Sequence, residues 1–163
     1  MVHVVDTSSW SLKANIQVGK RPRRFAMTPD KQELWVTSEL DSSTSIIDTA
    51  GNAVKEVIKF SPKGFRAEDV TPVGIIMTAD GKTAYITMGR ANRVAVVDIP
   101  SRKIKDYILV GERAWNAELN RDESLLFVVN GLSDDVSIID TGKGRVIKSV
   151  PVGRVPYMAI IDD

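Results

Sequence analysis

The sequence predicts an all-β fold made of repeated four-stranded antiparallel sheets, and three regularities carry this prediction. The phrase Ser-Ile-Ile-Asp-Thr occurs at 45–49 and again at 137–141, and looser versions of it end at Asp6 and Asp98. The four aspartates of these phrases are spaced by 42, 50 and 42 positions. Two other series keep this register: the turn aspartates Asp30, Asp80 and Asp122, and the small residues Gly19, Ser61, Gly111 and Gly153.

Each repeat contains four short strands separated by turn residues. In the first complete repeat the strands are centred on Phe25–Thr28, Leu34–Thr37, Ser45–Ile47 and Val54–Phe60, and they are rich in β-branched and aromatic residues. The aspartate after the third strand suits its place because a carboxylate accepts backbone N–H groups in a turn. No sustained 3.6-residue periodicity indicates helices. Four strands in about 42 residues are typical of a β-propeller blade.

The register divides residues 1–163 into three full blades and a split partial blade, which is half of a larger ring. With strands lettered a at the hub to d at the rim, residues 1–19 supply only strands c and d of one blade. The full blades are 20–61, 72–111 and 112–153; 62–71 is an inter-blade insertion loop, and 154–163 supply a closing strand a. Two interpretations stay open. The chain is either the C-terminal part of a larger propeller or a half-ring that a second copy completes as a homodimer.

The composition excludes several classes of binding partner and of chemical site. A net charge of +1 gives no global attraction to nucleic acid or to an anionic membrane. No apolar run approaches the length that spans a bilayer, so the protein is not expected to be membrane-embedded. The absence of cysteine excludes disulfides and thiolate metal sites and fits the cytosol and the periplasm equally. No signal peptide is present in this chain.

The candidate binding site lies at the mouth of the central channel. Hub strands of different blades should bring together five residues there: Arg23, Arg24, Trp115, Asn116 and Tyr157. Arginine, tryptophan and tyrosine are enriched at interface hot spots, so we expect a ligand or partner protein at this mouth. The alternative is that Lys20–Arg24 is a solvated loop and that the aromatic side chains plug a dry channel.

The insertion loop is a second candidate, as a docking element. It is longer than the other blade junctions and carries Phe65, Arg66, Glu68 and Asp69. Long loops on a rigid scaffold often carry function, although surface insertions are also tolerated at little energetic cost.

Little in the sequence indicates catalysis. The single histidine, His3, is expected to pack or to face solvent. No carboxylate falls among the channel-facing positions, and Glu118 and Asp162 lie further along their strands. No phosphate loop, nucleophile elbow or zinc-protease motif is present. We therefore expect no catalytic residue, no metal site and no cofactor.

Several phrases resemble known repeats. Leu34–Ser38, Ala84–Met88 and Phe127–Asn130, each after an aspartate turn, resemble YVTN-type β-propeller repeats. Gly89–Asp98, together with the insertion, resembles the C-terminal half of propellers associated with PQQ-dependent alcohol catabolism. This resemblance implies a periplasmic, non-catalytic accessory of a quinoprotein pathway with a redox or dehydrogenase partner. The chain departs from that pattern at Trp115–Asp122, which weakens the transfer of an axial pocket.

The function expected from the sequence is thus a non-catalytic scaffold or binding protein rather than an enzyme. Two alternatives remain: a lactonase-like hydrolase that acts on a small molecule, and a structural repeat protein of a cell surface. Metal-dependent turnover would favour the first alternative.

Overall fold

The computed structural model describes residues 1–162, and within them fourteen strands form four antiparallel sheets. The strands are β1 Val2–Val5, β2 Leu12–Ile16, β3 Pro22–Met27, β4 Glu33–Ser38, β5 Ser43–Asp48, β6 Ala53–Lys59, β7 Pro72–Met77, β8 Thr83–Met88, β9 Arg93–Asp98, β10 Ile104–Leu109, β11 Ala114–Leu119, β12 Leu125–Asn130, β13 Asp135–Asp140 and β14 Arg145–Pro151. Three short 3-10 helices occupy Glu39–Asp41, Ala67–Asp69 and Gly89–Ala91. No helix among these residues is long and apolar enough to cross a membrane.

The sheets are arranged as propeller blades. Three of them have four strands each, in the orders β3-β4-β5-β6, β7-β8-β9-β10 and β11-β12-β13-β14, and β1 pairs with β2 in a two-stranded sheet. The first strands of the complete blades are neighbours, with β3 beside β7 and β7 beside β11, so they form the hub. The predicted fold of four-stranded antiparallel blades is confirmed.

The hydrophobic core lies between the blades rather than inside one sheet. Trp35 and Ile46 of the first complete blade pack with Ile86 and Val97 of the second. A similar cluster joins the second and third blades, and a smaller one joins the β1–β2 sheet to the first complete blade. Each sheet therefore buries its apolar faces only when a neighbouring sheet covers them.

Two threonines connect the blades at the hub. The Thr37 hydroxyl donates to the carbonyl oxygen of Val73 in the next blade (2.8 Å), and the equivalent Thr87 hydroxyl donates to that of Trp115 (3.2 Å). Thr87 also accepts from the Gly74 amide at 2.7 Å. A methyl group on Gly74 would lie 2.8 Å from the Trp115 carbonyl oxygen, so this close approach of β7 to β11 requires glycine.

The expected closing strand has no partner strand within the described residues. Residues 152–162 follow β14 without strand structure, held by hydrogen bonds from the Val152 and Val155 amides to Asp134 (both 2.8 Å). Val129 stands at the position of Thr37 and Thr87 in this blade, and valine has no hydroxyl to donate to the next hub segment. The role of 154–163 as a closing strand stays a prediction, and Asp163 lies outside the described residues.

The aspartate of each repeated phrase has the role that the sequence predicts. Asp6, Asp48, Asp98 and Asp140 each accept a backbone N–H from a residue two or three positions later. Three of them also pair with a lysine of the following strand or turn: Lys13 with Asp6 (2.6 Å), Lys105 with Asp98 (2.7 Å) and Lys143 with Asp140 (2.7 Å). These hydrogen bonds, with the lysine bond the largest cause, lower the pKa of all three carboxyls, that of Asp6 to about 2.

Stability should therefore fall in acid. A carboxyl whose pKa is lower in the folded state stabilises that state above its unfolded pKa, and the contribution is lost as pH falls through the folded pKa. We expect Asp98→Asn to lower the urea midpoint at pH 6, and we expect its difference from the wild type to shrink between about pH 4 and pH 2. A difference that stays constant down to pH 2 would show that the carboxylate charge is not the cause.

Candidate functional site

The turns that lead into the hub strands place arginines at one mouth of the channel. Arg21 and Arg113 occupy equivalent positions before β3 and β11, and both have left-handed backbone (φ 55° and 63°). The following connections support these turns: the Glu39 amide donates to the Arg21 carbonyl and the Gly131 amide to the Arg113 carbonyl, both at 3.0 Å. Arg21 and Arg113 are thus fixed at the same end of their blades.

Three guanidinium groups surround one buried carboxylate, a group that we call the arginine cluster. Glu39 is 5% exposed and lies 3.2 Å from Arg21 Nε, 3.3 Å from Arg23 Nε and 3.7 Å from Arg113 Nη2. The two Nε distances are those of ion pairs, but Glu39 Oε2 has no aligned hydrogen bond among the described residues. One negative charge faces three positive charges, so most guanidinium donors remain available to an anion.

A second group at the mouth, the aromatic cluster, combines residues from both ends of the arc. The Arg24 guanidinium lies 5.5 Å from the centroid of the Tyr157 ring, and Tyr157 packs edge-to-face on Trp115 with centroids 4.9 Å apart. Tyr157 is 45% exposed and the other two are partly exposed. The cluster therefore presents aromatic and cationic surface to solvent in this structure, and the choice between a binding surface and a plugged channel stays a prediction.

The predicted mouth residues thus divide between the two clusters. Arg24, Trp115 and Tyr157 come together, whereas Arg23 turns to Glu39. Asn116 follows Trp115 on β11 and lies at the hub beside Gly74. Their role in binding stays a prediction.

Two acidic residues, Glu118 and Glu39, are further candidates for the site although the sequence did not select them as site residues. Glu118 lies on β11 two residues after Asn116, is partly buried, and has a pKa that burial raises above its usual value. Glu118 takes part in none of the ion pairs observed among residues 1–162. Glu39 was missed altogether, although one signal was available: the other two blades have glycine at that place, at Gly89 and Gly131.

The insertion loop packs against the blades and is hydrogen bonded to them. Phe65 packs on the core between the first two complete blades, and the Arg93 guanidinium lies 5.4 Å from its ring centroid. The Ser42 hydroxyl donates to the carbonyl oxygens of Val70 (2.8 Å) and Ala67. Phe65 therefore anchors the loop to the core, and a docking role for it stays a prediction.

The remaining predicted docking residues form their own ion pairs. Arg66 Nε lies 3.0 Å from Asp69 and its Nη1 lies 3.1 Å from Glu68, and Arg66 and Glu68 are well exposed. Docking by Arg66, Glu68 and Asp69 stays a prediction. His3 is hydrogen bonded to Asn15 across β1 and β2 at 2.5 Å. Within residues 1–162 no group of three or more His, Asp or Glu side chains is placed to hold a metal ion.

Comparison with solved structures identifies propellers. Hydrazine synthase of Kuenenia stuttgartiensis superposes with a TM-score of 0.74 at 20% identity, over 87% of this chain and 39% of that chain. The periplasmic gluconolactonase PpgL of Pseudomonas aeruginosa gives a TM-score of 0.71 at 22% identity, over 84% of this chain and 41% of that chain. At these identities the likeness shows the fold.

Comparison of sequences gives the family. A curated 6-phosphogluconolactonase of Erwinia tasmaniensis is 23% identical over 154 residues, which are 88% of this chain and 46% of that protein. The chain thus spans less than half the length of this relative. The model of the family described as "Lactonase, 7-bladed beta-propeller" matches residues 5–151.

These matches correct the expectation that the protein is not an enzyme. The near absence of histidine and the lack of carboxylates at the expected channel-facing positions suggested a scaffold, but the family model and the curated relative both belong to lactonases. The resemblance to the narrower PQQ-associated group stays a prediction. The sequence alone did not indicate a hydrolase because Glu39, at the mouth, and Glu118, further along β11, lie outside any catalytic motif. The chain belongs to the family of seven-bladed β-propeller lactonases.

Proposed function

We propose that this chain hydrolyses sugar lactones, or forms the substrate-binding part of a protein that does so, at the mouth of the channel. The arginine cluster carries this proposal: three guanidinium groups face one carboxylate beside exposed aromatic rings, on a chain of the lactonase family. The relatives named 6-phosphogluconolactonase and gluconolactonase support a sugar lactone as the substrate class.

The two clusters suit different parts of such a substrate. Aromatic faces such as those of Trp115 and Tyr157 pack against the C–H face of a sugar ring and exclude water from it. Guanidinium groups bind phosphate and carboxylate through paired N–H donors. Because the arginine cluster has an excess of two positive charges, we favour an anionic, phosphorylated lactone over a neutral one.

A proton acceptor and a positive charge near the carbonyl oxygen accelerate lactone hydrolysis. Water adds to the lactone carbonyl carbon and loses a proton, the carbonyl oxygen becomes negative, and the bond to the ring oxygen then breaks as that oxygen takes up a proton. Glu118 is the proposed proton acceptor, since a carboxylate with a raised pKa is a stronger base than an ordinary one. An arginine of the mouth stabilises the negative oxygen.

The test is a turnover assay on the 163-residue chain, with 6-phosphogluconolactone and gluconolactone as substrates and the spontaneous rate subtracted. We expect Arg113→Met to raise KM for the phosphorylated lactone about 10- to 100-fold, the value of one charge-assisted hydrogen bond. The neutral lactone should be affected much less. Arg145→Met, on the exposed outer strand β14, is the matched control.

Two results would contradict the proposed function. If neither lactone is hydrolysed faster than in buffer, and calorimetry detects no binding of 6-phosphogluconate, the assignment is wrong. If Arg113→Met and Arg145→Met change KM equally, the arginine cluster does not bind the phosphorylated lactone.

We also propose a periplasmic location, which the likeness to a periplasmic gluconolactonase supports. A redox or dehydrogenase partner, a role in a PQQ-dependent pathway and a cell-surface role remain predictions from the sequence.

A further inference from the structure

Arg113 is the member of the arginine cluster that the third complete blade supplies, and it stands in a left-handed turn. Its φ is 63°, and a residue other than glycine keeps this conformation only where its surroundings hold it there. From this turn the guanidinium extends to Glu39 of the first complete blade, with Nη2 3.7 Å from the carboxylate. The backbone at its root sets the direction of so long a side chain, so the contacts of this turn decide where the charge lies.

Asn92 of the second complete blade holds both ends of the turn at 110–113. Its Oδ1 accepts the Arg113 amide at 2.9 Å, and its backbone carbonyl oxygen accepts the Val110 amide at 3.0 Å. Asn92 is itself left-handed, with φ 54° and ψ 41°, a conformation that asparagine adopts more readily than most residues. One residue of the preceding blade therefore fixes the first and the last residue of the turn that carries Arg113.

The middle of the turn is held from its own blade. The Gly111 amide donates to Ser137 Oγ at 3.3 Å, and the Glu112 amide donates to Ser133 Oγ at 2.9 Å. Neither serine bonds to the Arg113 amide, which donates to Asn92 instead. The conformation of Arg113 thus depends on a side chain from another blade.

The other two blades show which part of this arrangement accompanies the left-handed turn. Asp134 occupies the place of Asn92 in the third complete blade, and its Oδ1 accepts the amide of Val155 at 2.8 Å, whose φ is 50°. In the first complete blade the place is taken by Ser42, whose hydroxyl donates to carbonyl oxygens of the insertion loop. The junction residue there is Thr71, which has a negative φ. A side-chain oxygen that accepts the junction amide therefore occurs where the junction residue is left-handed.

We propose that Asn92 is a positioning residue of the anion site. It holds the backbone of Arg113 so that the guanidinium reaches the arginine cluster, and it acts on the substrate only through that arginine. This inference rests on the proposed function, in which the arginine cluster binds the phosphate of a phosphorylated lactone. Loss of the Asn92 side chain should then weaken substrate binding and leave the chemical step unchanged.

Asn92→Gly tests this role, because glycine removes Oδ1 and still adopts left-handed backbone. We expect KM for 6-phosphogluconolactone to rise about 5- to 10-fold, the value of one hydrogen bond, and kcat to change less than about twofold. Asn92→Asp retains the oxygen, as Asp134 does, and should recover most of the lost affinity. Asn52→Gly is the matched control, since Asn52 has the same backbone conformation (φ 51°) in the turn between β5 and β6. An unchanged KM in Asn92→Gly would overturn the proposal.

A double variant shows whether Asn92 acts through Arg113. In the Arg113→Met background, Asn92→Gly should cause no further rise in KM, because the side chain that it positions is gone. Effects that add in the double variant would overturn the proposal, since Asn92 would then act by another route. Circular dichroism and thermal midpoints identify any variant that is merely unfolded.

NMR spectra of the arginine Nε–H groups give a readout that does not depend on turnover. The Arg113 signal is identified by its loss in Arg113→Met. We expect it to shift in Asn92→Gly and to keep its place in Asn92→Asp, with the signal of Arg145 on the outer strand β14 unmoved in both. A wild type that hydrolyses neither lactone would refute the proposed function, whereas an Arg113 signal that is the same in Asn92→Gly as in the wild type would overturn the positioning role.

Discussion

A Trp35→Ala variant is expected to lose about 3–5 kcal/mol of the free energy of unfolding, the cost of removing a large buried aromatic side chain. Trp35 is fully buried in the cluster that joins the first two complete blades. Its Nε1–H donates to Glu33 Oε2 at 3.2 Å, and the Arg102 guanidinium lies 5.3 Å from its ring centroid. The substitution therefore opens a cavity between two sheets and removes a donor from a buried carboxylate.

The matched variant Trp35→Phe separates these two effects. It keeps most of the ring but loses the N–H, and Glu33 retains Lys55 at 2.9 Å and Arg102 at 2.5 Å. We expect a loss of about 1–3 kcal/mol. Urea unfolding followed by tryptophan fluorescence and circular dichroism measures both. A loss below 1 kcal/mol for Trp35→Ala would mean that the junction does not hold the two blades together.

The second large effect concerns turnover. We expect Glu118→Gln to lower kcat about 10²- to 10⁴-fold, the range that general acid–base groups contribute. KM should change little, since Glu118 lies further along β11 than the residues proposed to bind the substrate. Stability should not fall, because burial raises the pKa of Glu118 and its ionised form is therefore disfavoured in the folded protein.

The pH dependence identifies the role. Only the ionised carboxylate accepts a proton, so kcat of the wild type should decline as pH falls through the pKa of Glu118, which lies above the ordinary 4.5. Glu118→Gln should lose this acid limb together with most of the rate. Glu112→Gln, which changes an exposed carboxylate before β11, is the control. An unchanged kcat in Glu118→Gln would assign the proton to another group.

The fold could be predicted from the sequence because its information is local and repeated. Each aspartate phrase combines a buried strand with a turn that the carboxylate itself closes, so Asp48 and Asp140 mark the same place in two blades. Such signals need no knowledge of the tertiary structure. The blade pattern and the strand order follow from them.

The site depends instead on contacts between distant residues. Glu39 meets Arg113 only after two blades have formed, and no spacing in the sequence indicates that contact. Phe65 was selected only as a member of a candidate docking loop, and its packing on the core beside Arg93 depends on a contact that the sequence does not indicate. Burial also gives Glu118 its raised pKa, and burial is a property of the assembled blades. Comparison with the family model was needed to connect the chain with lactonases.

The threonine bonds at the hub have a mechanical consequence. Thr37 and Thr87 each donate a hydrogen bond from one blade to the next, and at Gly74 the strands approach too closely for a methyl group, so the spacing at these two junctions is fixed by contacts with the backbone. Val129 has no hydroxyl to donate at the third junction. The segment after β14 is held there through Asp134 instead, so the spacing of the third junction is set by a side chain of the β12–β13 turn.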